Sequence, residues 1–318
     1  MPKVSVIVPV YGVEKYIERC ARSLFEQTLD DIEYLFIDDC TPDRSIEILR
    51  QVLEEYPQRK LQVTIHRMEK NSGQAAVRKW GMQNATGEYV IHCDSDDWVE
   101  ANMYCEMYML TKDVHPDIVS CNYYEEYEGS KRPVKKLISP NDSNELLLKR
   151  LLKGVGSLNS LWSILVRREL CQKIEYPKCN QSEDFAMVAQ FFLYSRKVVA
   201  TDNYFYHYLI NDQSISHNPD KDKIMKRLND AISNRGLVYK VFDMNGRAEE
   251  FKNEIIASKA LTKCFILRLK NDDDFKPLWN SIFREINFKL LICPAVPFKV
   301  KGFHLLVQLN LTHILSHT

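Results

Sequence analysis

The chain has 318 residues, and its 43 basic and 43 acidic side chains give a formal net charge of zero, so the charge balance does not indicate nucleic acid as a partner. Hydrophobic residues make up 45% and charged residues 27%, the composition of an ordinary globular protein long enough to bury a substantial core. There is no low-complexity tract, internal repeat or uninterrupted run of about 18 apolar residues, so a membrane-spanning helix is not expected.

The distribution of the cysteines and the pattern of the first ten residues indicate in which cellular compartment the protein is expected. The nine cysteines are scattered, without the close pairs typical of a zinc site or a redox motif. Several lie in apolar runs, which favours reduced cysteines in the core of a cytosolic protein. The chain opens directly into a strand pattern at residues 3–10, without the basic and apolar regions typical of a signal peptide. We therefore expect a cytoplasmic protein.

Strands and helices alternate three times in the first hundred residues. Residues 3–10 are a β-branched run typical of a strand buried on both faces. Apolar residues at helical spacing predict a helix over 14–27. The elements that follow are a strand at 33–37, a helix at 46–55, a strand at 61–66, a helix ending near 84 and a strand at 89–93. This order predicts parallel βαβ units with right-handed crossovers.

Polar residues follow the predicted strands at their carboxyl ends, where open α/β sheets bind ligands. These ends carry residues 9–11, 38–39, 71–74 and 94–97. A run of acids facing one crevice fits a base or ribose bound by carboxylates, together with a phosphate held through a metal. Neither G-x-G-x-x-G nor G-x-x-x-x-G-K-[ST] occurs, so a glycine-rich phosphate cradle is not expected.

Three carboxylates, Asp94, Asp96 and Asp97, follow the strand at 89–93. Unpaired buried charge is costly. Hard divalent cations bind carboxylate oxygens and often coordinate substrate phosphates at the same time. One interpretation is therefore a metal clamped between the protein and a phosphate-bearing substrate. The other is a solvated turn in which Asp94 or Asp97 caps a helix that begins near Glu100.

The rest of the chain is predicted to contain more helices than strands. The predicted elements are a helix to about 112, a strand at 117–121, a charged segment at 125–136, a helix at 146–152, an apolar element at 158–166, a helix at 186–194, an aromatic strand at 204–208 and a helical pattern over 224–270. Glu183 and Asp184 form a second acidic pair at a helix start, where favourable interaction with the helix dipole is the alternative to a catalytic role.

The segment 286–318 differs in composition from the rest of the chain. It contains no carboxylate, and its lysines are spaced along an otherwise apolar stretch. Pro294 and Pro297 divide it into pieces too short to span a bilayer. Apolar pieces with basic flanks fit an in-plane contact with an anionic leaflet. A helix docked on the domain, or an oligomer contact, explains the pattern equally well.

Six motifs in this order resemble the family 2 inverting glycosyltransferases of GT-A fold. They are Val4-Ser-Val-Ile-Val-Pro-Val-Tyr11, Phe36-Ile-Asp-Asp39, Asn71-Ser-Gly-Gln-Ala-Ala-Val-Arg78, Ala85-Thr-Gly-Glu-Tyr89, Asp94-Ser-Asp-Asp-Trp98 and Ser182-Glu-Asp-Phe185. The match covers roughly residues 3–217. It implies an α/β fold with a Rossmann-like, mostly parallel sheet flanked by helices. We expect a GT-A catalytic domain at 1–220 and a helical C-terminal region at 221–318.

The resemblance also implies roles on the donor side of the site. Pro9 and Tyr11 would line the pocket for the nucleotide base, and Asp39 would accept the imide hydrogen of uracil. Arg78, with the loop at Gly73, would lie near the uridine diphosphate.

The acidic motifs receive the remaining roles by the same resemblance. Asp94 would touch the ribose or the metal, and Asp96 would hold the Mg²⁺ or Mn²⁺ that bridges the diphosphate. Asp97 would lie near the transferred sugar. Asp184 would be the general base, and Glu183 beside it would help to place the acceptor.

The activity so implied is transfer of a sugar, from a UDP-linked donor, to a growing surface glycan carried on a lipid at the inner face of the membrane. A nucleotidyltransferase is one alternative, but it would need a basic, glycine-rich loop after the first strand, and residues 9–13 offer none. The other alternative is a non-catalytic nucleotide-sugar-binding partner subunit of a polysaccharide synthase. The intact Asp94, Asp96 and Asp184 argue against it.

This sequence departs from the family pattern in places that concern donor selection and closure of the lid. Gly12 and Lys79 stand where many relatives have asparagine, and the segment 162–165 lacks the lysine of a common Trp-x-Lys-Leu motif. Leu209 stands where the lid commonly carries an arginine. His207, Ser214 and His217 are the candidates to replace that arginine at the diphosphate, although His217 also fits an exposed loop histidine.

Overall fold

The computed structural model describes residues 1–139, 142–210, 220–270 and 272–312. The strands in these ranges are β1 Val4–Val10, β2 Ile32–Asp38, β3 Val63–Arg67, β4 Tyr89–His92, β5 Trp98–Val99, β6 Ile118–Tyr127, β7 Ser130–Val134, β8 Ile164–Arg167 and β9 Val198–Leu209. The α-helices are α1 Ile17–Phe25, α2 Ser45–Glu54, α3 Gln74–Asn84, α4 Met103–Met109, α5 Asn144–Leu152, α6 Arg168–Cys171, α7 Glu183–Tyr194, α8 Lys221–Met244, α9 Lys252–Lys263, α10 Phe275–Ser281, α11 Lys289–Ile292 and α12 Phe298–Gln308.

A single sheet organises these strands in the order β3-β2-β1-β4-β8-β6-β9-β5, with β7 paired to β6. The first four strands of this order are parallel, as is the long pairing of β6 with β9. Strand β8 enters antiparallel between β4 and β6. The predicted α/β fold with a mostly parallel sheet is confirmed. In the parallel part, the carboxyl ends of β1, β2 and β4 lie at one edge of the sheet.

The two faces of the sheet carry separate hydrophobic cores. Alternate residues of a strand point to opposite faces, so Val6 and Val8 join the core under α1 and α2, whereas Ile7 joins the core under α5 and α7. Helix α1 buries Ile17 and Leu24 on one side, as the helical spacing predicted. Each buried large apolar side chain contributes about 1.5–3 kcal/mol, so the strand ends are held on a rigid scaffold.

Three predicted elements differ in the structure. The strand expected from residue 61 begins at Val63, because residues 57–62 form a 3₁₀ helix with a proline at its start and Leu61 is fully exposed. The charged segment 125–136 belongs largely to a hairpin of β6 and β7, which turns at Gly129 with φ +75°. The apolar element at 158–166 becomes a 3₁₀ turn followed by β8.

The predicted helical C-terminal region is present in the described residues from 220 onward. Its helices share a core with the sheet, since Val238, Phe242 and Phe251 lie in the same cluster as the buried residues of α7. The division of the chain at residue 220 stays a prediction. No helix within the described ranges is both long enough and apolar enough to cross a membrane.

Candidate active site

Strands β1 and β2 end side by side and present Pro9, Tyr11 and Asp39 at the edge of the sheet. Val10 pairs with Asp38, and the Asp39 N–H donates to the Val10 carbonyl at 3.0 Å. The Gly12 N–H donates to Thr41 Oγ1 at 2.8 Å, which holds the loop after β1. Tyr11 is 52% exposed, so its ring is available to lie against a flat ligand.

The buried carboxylate of Asp39 fixes the loop at residues 71–74. Its two oxygens accept the N–H groups of Ser72 at 2.7 Å and Gly73 at 2.9 Å. Gly73 has φ +82°, and a Cβ there would lie 2.2 Å from the Asn180 side chain, so the position requires glycine. Each Asp39 oxygen retains a lone pair, so the carboxylate can still accept a hydrogen bond from a ligand.

Arg78 joins the two acidic motifs that the sequence placed in separate segments. Its guanidinium is buried, with Nη2 2.8 Å from Asp94 Oδ1 and Nε 3.6 Å from Glu183 Oε1. In the part of the chain that the structure describes, Nε and Nη1 have no hydrogen-bond partner. Buried donors are normally satisfied. Nε faces the Glu183 carboxyl, so Nη1 is the nitrogen of this guanidinium whose N–H groups lack an acceptor among the described residues.

The carboxylates after β4 have different environments. Asp97 is fully buried, and its oxygens accept from the Tyr206 hydroxyl at 2.6 Å and the Leu209 N–H at 2.8 Å. The Tyr206 hydroxyl also accepts the Asp94 N–H at 3.0 Å. Asp97 therefore fastens β9 to the acidic segment, and its predicted contact with the sugar stays a prediction. Burial, followed by the neighbouring Asp96, raises the pKa of Asp97 well above its ordinary value.

Asp94 and Asp96 are the carboxylates that fit a divalent ion. Among the described residues, the Asp96 side chain forms no ion pair, and burial followed by the nearby Asp94 raises its pKa to about 6. No cluster of three or more His, Cys, Asp or Glu side chains forms a complete metal site within the described ranges. Two carboxylates nevertheless fit Mg²⁺ or Mn²⁺, because such ions take their remaining oxygens from water and from substrate phosphates.

The capping interpretation of the segment 94–97 is wrong. Helix α4 begins at Met103, and the residue at its N-cap is Asn102, whose side chain does not cap the helix. The carboxylates of Asp94 and Asp97 are instead held by Arg78 and by β9.

Glu183 and Asp184 open α7, directly after Ser182. Ser182 has φ +64°, a left-handed conformation that costs a non-glycine residue about 1–3 kcal/mol. Asp184 Oδ1 accepts the Phe185 N–H at 2.6 Å, and Oδ2 accepts Asn159 Nδ2 at 3.2 Å. Asp184 Oδ1 therefore accepts a helix N–H, which agrees with the helix-start role that the sequence offered as an alternative. Asp184 Oδ2 faces Asn159 in the candidate site.

Burial shifts the protonation of this acidic pair. It raises the pKa of Glu183 to about 8, with the adjacent Asp184 carboxylate as the next cause. It also raises the pKa of Asp184, which the Phe185 N–H and Arg78 partly oppose. The pair therefore holds a proton at neutral pH, and an acid placed beside a base is the arrangement that general acid–base chemistry needs.

Helix α8 supports the segment that leads into the acidic pair. The buried side chain of Asn234 donates to the carbonyls of Cys179 at 2.7 Å and Gln181 at 2.9 Å. Arg235 stacks over the Phe185 ring at 4.1 Å. Asn180, between these carbonyls, accepts the Ala75 N–H at 3.1 Å, so the same support reaches the loop at Gly73.

Four of the residues around the site were missed by sequence reasoning: Asn159, Asn180, Tyr206 and Asn234. One signal was available for Asn234, because it lies one helical turn before Val238 on the face of α8 that enters the core. A polar residue on such a face needs a partner. The asparagines at 159 and 180 lie in loops that carry no comparable signal.

His207 does not replace the missing lid arginine. Its Nδ1 lies 2.6 Å from Glu126 Oε1 and its Nε2 lies 3.0 Å from Glu100 Oε1, while its ring stacks on Trp98. Both nitrogens are thus engaged in joining β5, β6 and β9. The other two candidates, Ser214 and His217, lie outside the described residues.

We expect the protein without ligand to become less stable as the pH rises from about 5 to about 8. The pKa of Glu183 is about 8 in the folded protein, against an ordinary value of 4.5, so in this window the folded state binds a proton that the unfolded state has released. The contribution of Glu183 to stability is then greatest below its unfolded pKa and is lost toward its folded pKa, by at most about 1.4 kcal/mol per pH unit. The melting temperature measured across this range tests the slope.

Glu183→Gln should reduce the slope, because glutamine does not titrate, whereas Asp96, whose pKa is raised to about 6, keeps its part of the pH dependence. Glu169→Gln, at an exposed glutamate, is the matched control and should keep the wild-type slope. Equal slopes for wild type and Glu183→Gln would contradict the assignment of the proton to this pair.

Comparison with known proteins gives one matching family and several relatives. The profile of Glycosyl transferase family 2 matches residues 5–175, a range that contains every candidate donor and metal residue named above. EpsH of Bacillus subtilis (strain 168), named as a glycosyltransferase, is 31% identical over 264 residues, which are 80% of this chain and 73% of EpsH.

Solved structures of the same fold cover nearly the whole chain. S. aureus TarS 1-349 has a TM-score of 0.64 and 18% identity, covering 98% of this chain and 88% of that chain. Its complex with UDP-GlcNAc has a TM-score of 0.61 at the same coverage. The mannosyltransferase PcManGT from Pyrobaculum calidifontis, in complex with GDP-Man and Mn²⁺, has a TM-score of 0.56 and 16% identity, covering 98% and 86% of the two chains. At these identities the likeness is one of fold.

Proposed function

We propose a specific reaction for this chain, which belongs to glycosyl transferase family 2 and is a glycosyltransferase of GT-A type. The enzyme transfers a sugar from a UDP-linked donor to a hydroxyl group of a growing, lipid-linked surface glycan, with inversion at the anomeric carbon. The observation that carries the proposal is the position of Arg78, whose guanidinium contacts Asp94 and Glu183. One buried cation thereby brings the metal-binding and base-bearing motifs into a single site.

The donor binds at the ends of β1 and β2. The exposed ring of Tyr11, beside Pro9, stacks on the base, and Asp39 accepts the imide N–H of uracil with a lone pair that the 71–74 loop leaves unused. TarS, which shares the fold, has been solved with UDP-GlcNAc, and this supports the UDP class. PcManGT has been solved with GDP-Man, so the nucleotide requires a direct test.

The diphosphate lies between Arg78 and the carboxylates of Asp94 and Asp96. The N–H groups of Arg78 Nη1, which have no acceptor among the described residues, donate to the diphosphate oxygens, and such charge-assisted hydrogen bonds are stronger than neutral ones. Asp94 and Asp96 would hold Mg²⁺ or Mn²⁺, which supplies neutralisation of the charge that develops on the leaving diphosphate. Asp97 keeps this segment against β9 through Tyr206.

Asp184 removes the proton from the acceptor hydroxyl as that oxygen attacks the anomeric carbon. Asn159 holds Asp184 Oδ2, and the Phe185 N–H holds Oδ1, so the carboxylate keeps one orientation. Glu183, protonated near neutral pH, donates a hydrogen bond to the acceptor and so places it. A single in-line displacement inverts the anomeric configuration. An acceptor carried on a lipid places the reaction at the inner face of the membrane.

Thermal unfolding with UDP, GDP, CMP and dTDP, each with and without Mn²⁺, tests the donor class. We expect UDP with Mn²⁺ to stabilise the wild type most, by about 2.7 kcal/mol when the ligand is present at 100 times its dissociation constant. Asp96→Ala should lose the Mn²⁺-dependent part of this effect, because one of the two metal carboxylates is gone.

Asp113→Ala, which removes an exposed aspartate, is the matched control and should respond like wild type. A larger shift with another nucleotide would overturn the UDP class. No shift with any nucleotide or with the corresponding nucleotide sugars would overturn the proposed donor site.

A further inference from the structure

Helices α11 and α12 expose large apolar side chains to solvent. Phe288 and Ile292 belong to α11 and its start, and Phe298, Leu305 and Leu309 to α12 and its end. These five side chains, here called the outer face, are between 47% and 89% exposed. Exposed apolar side chains that occur singly need no explanation, but a group on consecutive elements marks an interaction surface.

The opposite sides of the same helices are buried. Leu290 and Val300 lie in one cluster with Ala257 and Ala260 of α9, and Val307 packs in the cluster of Trp279. The outer face therefore points away from the protein. Phe298, Leu305 and Leu309 are spaced by seven and four residues, which places them along one side of a helix. Gly302 lies between them and adds no side chain.

All the charged side chains in the segment that forms the outer face, residues 286–312, are lysines. Residues 286–312 contain no aspartate or glutamate, whereas Lys289 and Lys299 are exposed there. Lys301 Nζ lies 5.5 Å from the centroid of the Phe298 ring, so a third cation borders the apolar side chains. The nearest carboxylate before this segment in the chain is Glu285, which pairs with Lys259. An apolar surface edged by lysines is complementary to an anionic, apolar partner.

We propose that the outer face, with Lys289 and Lys299, is the surface by which the enzyme lies in the interface of an anionic lipid bilayer. Phe298, Phe288 and the aliphatic side chains enter the boundary between head groups and acyl chains, and the lysines meet the lipid phosphates. A two-fold contact between copies would set this cationic face against itself without carboxylates from the same segment, so a second copy is the poorer fit. The inference rests on the proposed function only for the lipid-linked acceptor, which the same bilayer would carry.

Co-sedimentation of the full chain with vesicles tests the surface. The vesicles contain either phosphatidylcholine alone or phosphatidylcholine with an equal part of phosphatidylglycerol. We expect wild type to bind the anionic vesicles at least about tenfold more tightly than the neutral ones. Phe298→Ser with Leu305→Ser should lose about tenfold or more of this affinity, and Lys289→Glu with Lys299→Glu should lose the preference for anionic lipid.

Two matched controls remove equivalent side chains elsewhere. Leu61→Ser changes a fully exposed leucine, and Lys173→Glu changes an exposed lysine, and both should bind vesicles like wild type. Release of UDP in detergent solution should be the same in all variants, so a failure of the surface and a failure of the proposed reaction give different results. Wild-type melting temperatures confirm that the variants fold.

Two results would overturn the proposal. One is equal sedimentation of wild type and the Phe298/Leu305 variant with anionic vesicles. The other is a dimeric wild type that becomes monomeric in this variant without binding vesicles, which would assign the outer face to a second copy.

Discussion

Replacing Asp184 with asparagine is expected to reduce sugar transfer by a factor of about 10²–10⁴ while leaving the affinity for UDP near that of wild type. Asparagine can still accept the Phe185 N–H through its amide oxygen, so the start of α7 should keep its structure. It cannot take the proton of the acceptor hydroxyl. The rate of transfer to acceptor and the dissociation constant of UDP with Mn²⁺, measured on the same preparation, separate these two functions.

Asp243→Asn, at an exposed aspartate of α8, is the matched control and should transfer at the wild-type rate. Equal activity in Asp184→Asn would remove this residue from the role of base. Binding of UDP by a wild type that transfers no sugar to any glycan acceptor would instead favour the non-catalytic partner subunit that the sequence left as an alternative.

Arg78→Met is expected to lower the free energy of unfolding by about 3–5 kcal/mol at neutral pH and to abolish donor binding. The substitution keeps the volume of the side chain but removes the buried cation between Asp94 and Glu183, so the partly buried Asp94 carboxylate loses the guanidinium that lies 2.8 Å from it. Urea unfolding at neutral pH measures the change in stability, and the dissociation constant of UDP with Mn²⁺ measures the change in donor binding.

Two further variants define what Arg78 contributes. Arg78→Lys keeps the charge but loses the planar fork, so it should recover stability more than donor affinity. Arg196→Met is the control. It removes a largely exposed guanidinium that lies 3.6 Å from the buried Asp117, which keeps its contact with Arg167, so the expected loss is about 0–1 kcal/mol. Wild-type stability in Arg78→Met would mean that the buried acids are neutralised without this residue.

The sequence predicted those parts of the fold that local patterns determine. Strands β1, β2 and β4 are apolar because both of their faces are buried, and each is followed by polar residues because the chain there leaves the core. The site residues at the ends of β1 and β2 follow from this pattern and from parallel pairing. The motifs at Arg78 and Asp94 are similarly local.

Contacts between distant segments could not be predicted in the same way. Nothing in the pattern of residues 164–167 shows that β8 enters between β4 and β6 in the opposite direction. The pairing of Arg78 with Glu183 joins positions far apart in the chain, and the Asn180 contact to Ala75 does the same. Such contacts depend on how the loops are packed, so single residues carry no signal for them.

The role of His207, offered as a replacement for the missing lid arginine, also could not be predicted from the sequence. The sequence offered His207 as one replacement for the arginine, because a histidine can contact a diphosphate. In the folded chain two glutamates from separate elements meet its ring, and they occupy both nitrogens. The prediction for His207 was wrong because the side chains that surround a strand residue depend on which other segments pack beside that strand.

The two hydrogen bonds donated by Asn234 also order the steps by which the enzyme becomes complete during its synthesis. Once residue 184 has left the ribosome, every proposed catalytic side chain exists, yet the carbonyls of Cys179 and Gln181 still lack their donor. They receive it only after α8 has been translated and has packed. A gene fragment ending at residue 220 would therefore encode all the motifs but not the Asn234 amide, which holds the loop before Asp184. The presence of the motifs alone would not make such a fragment a complete enzyme.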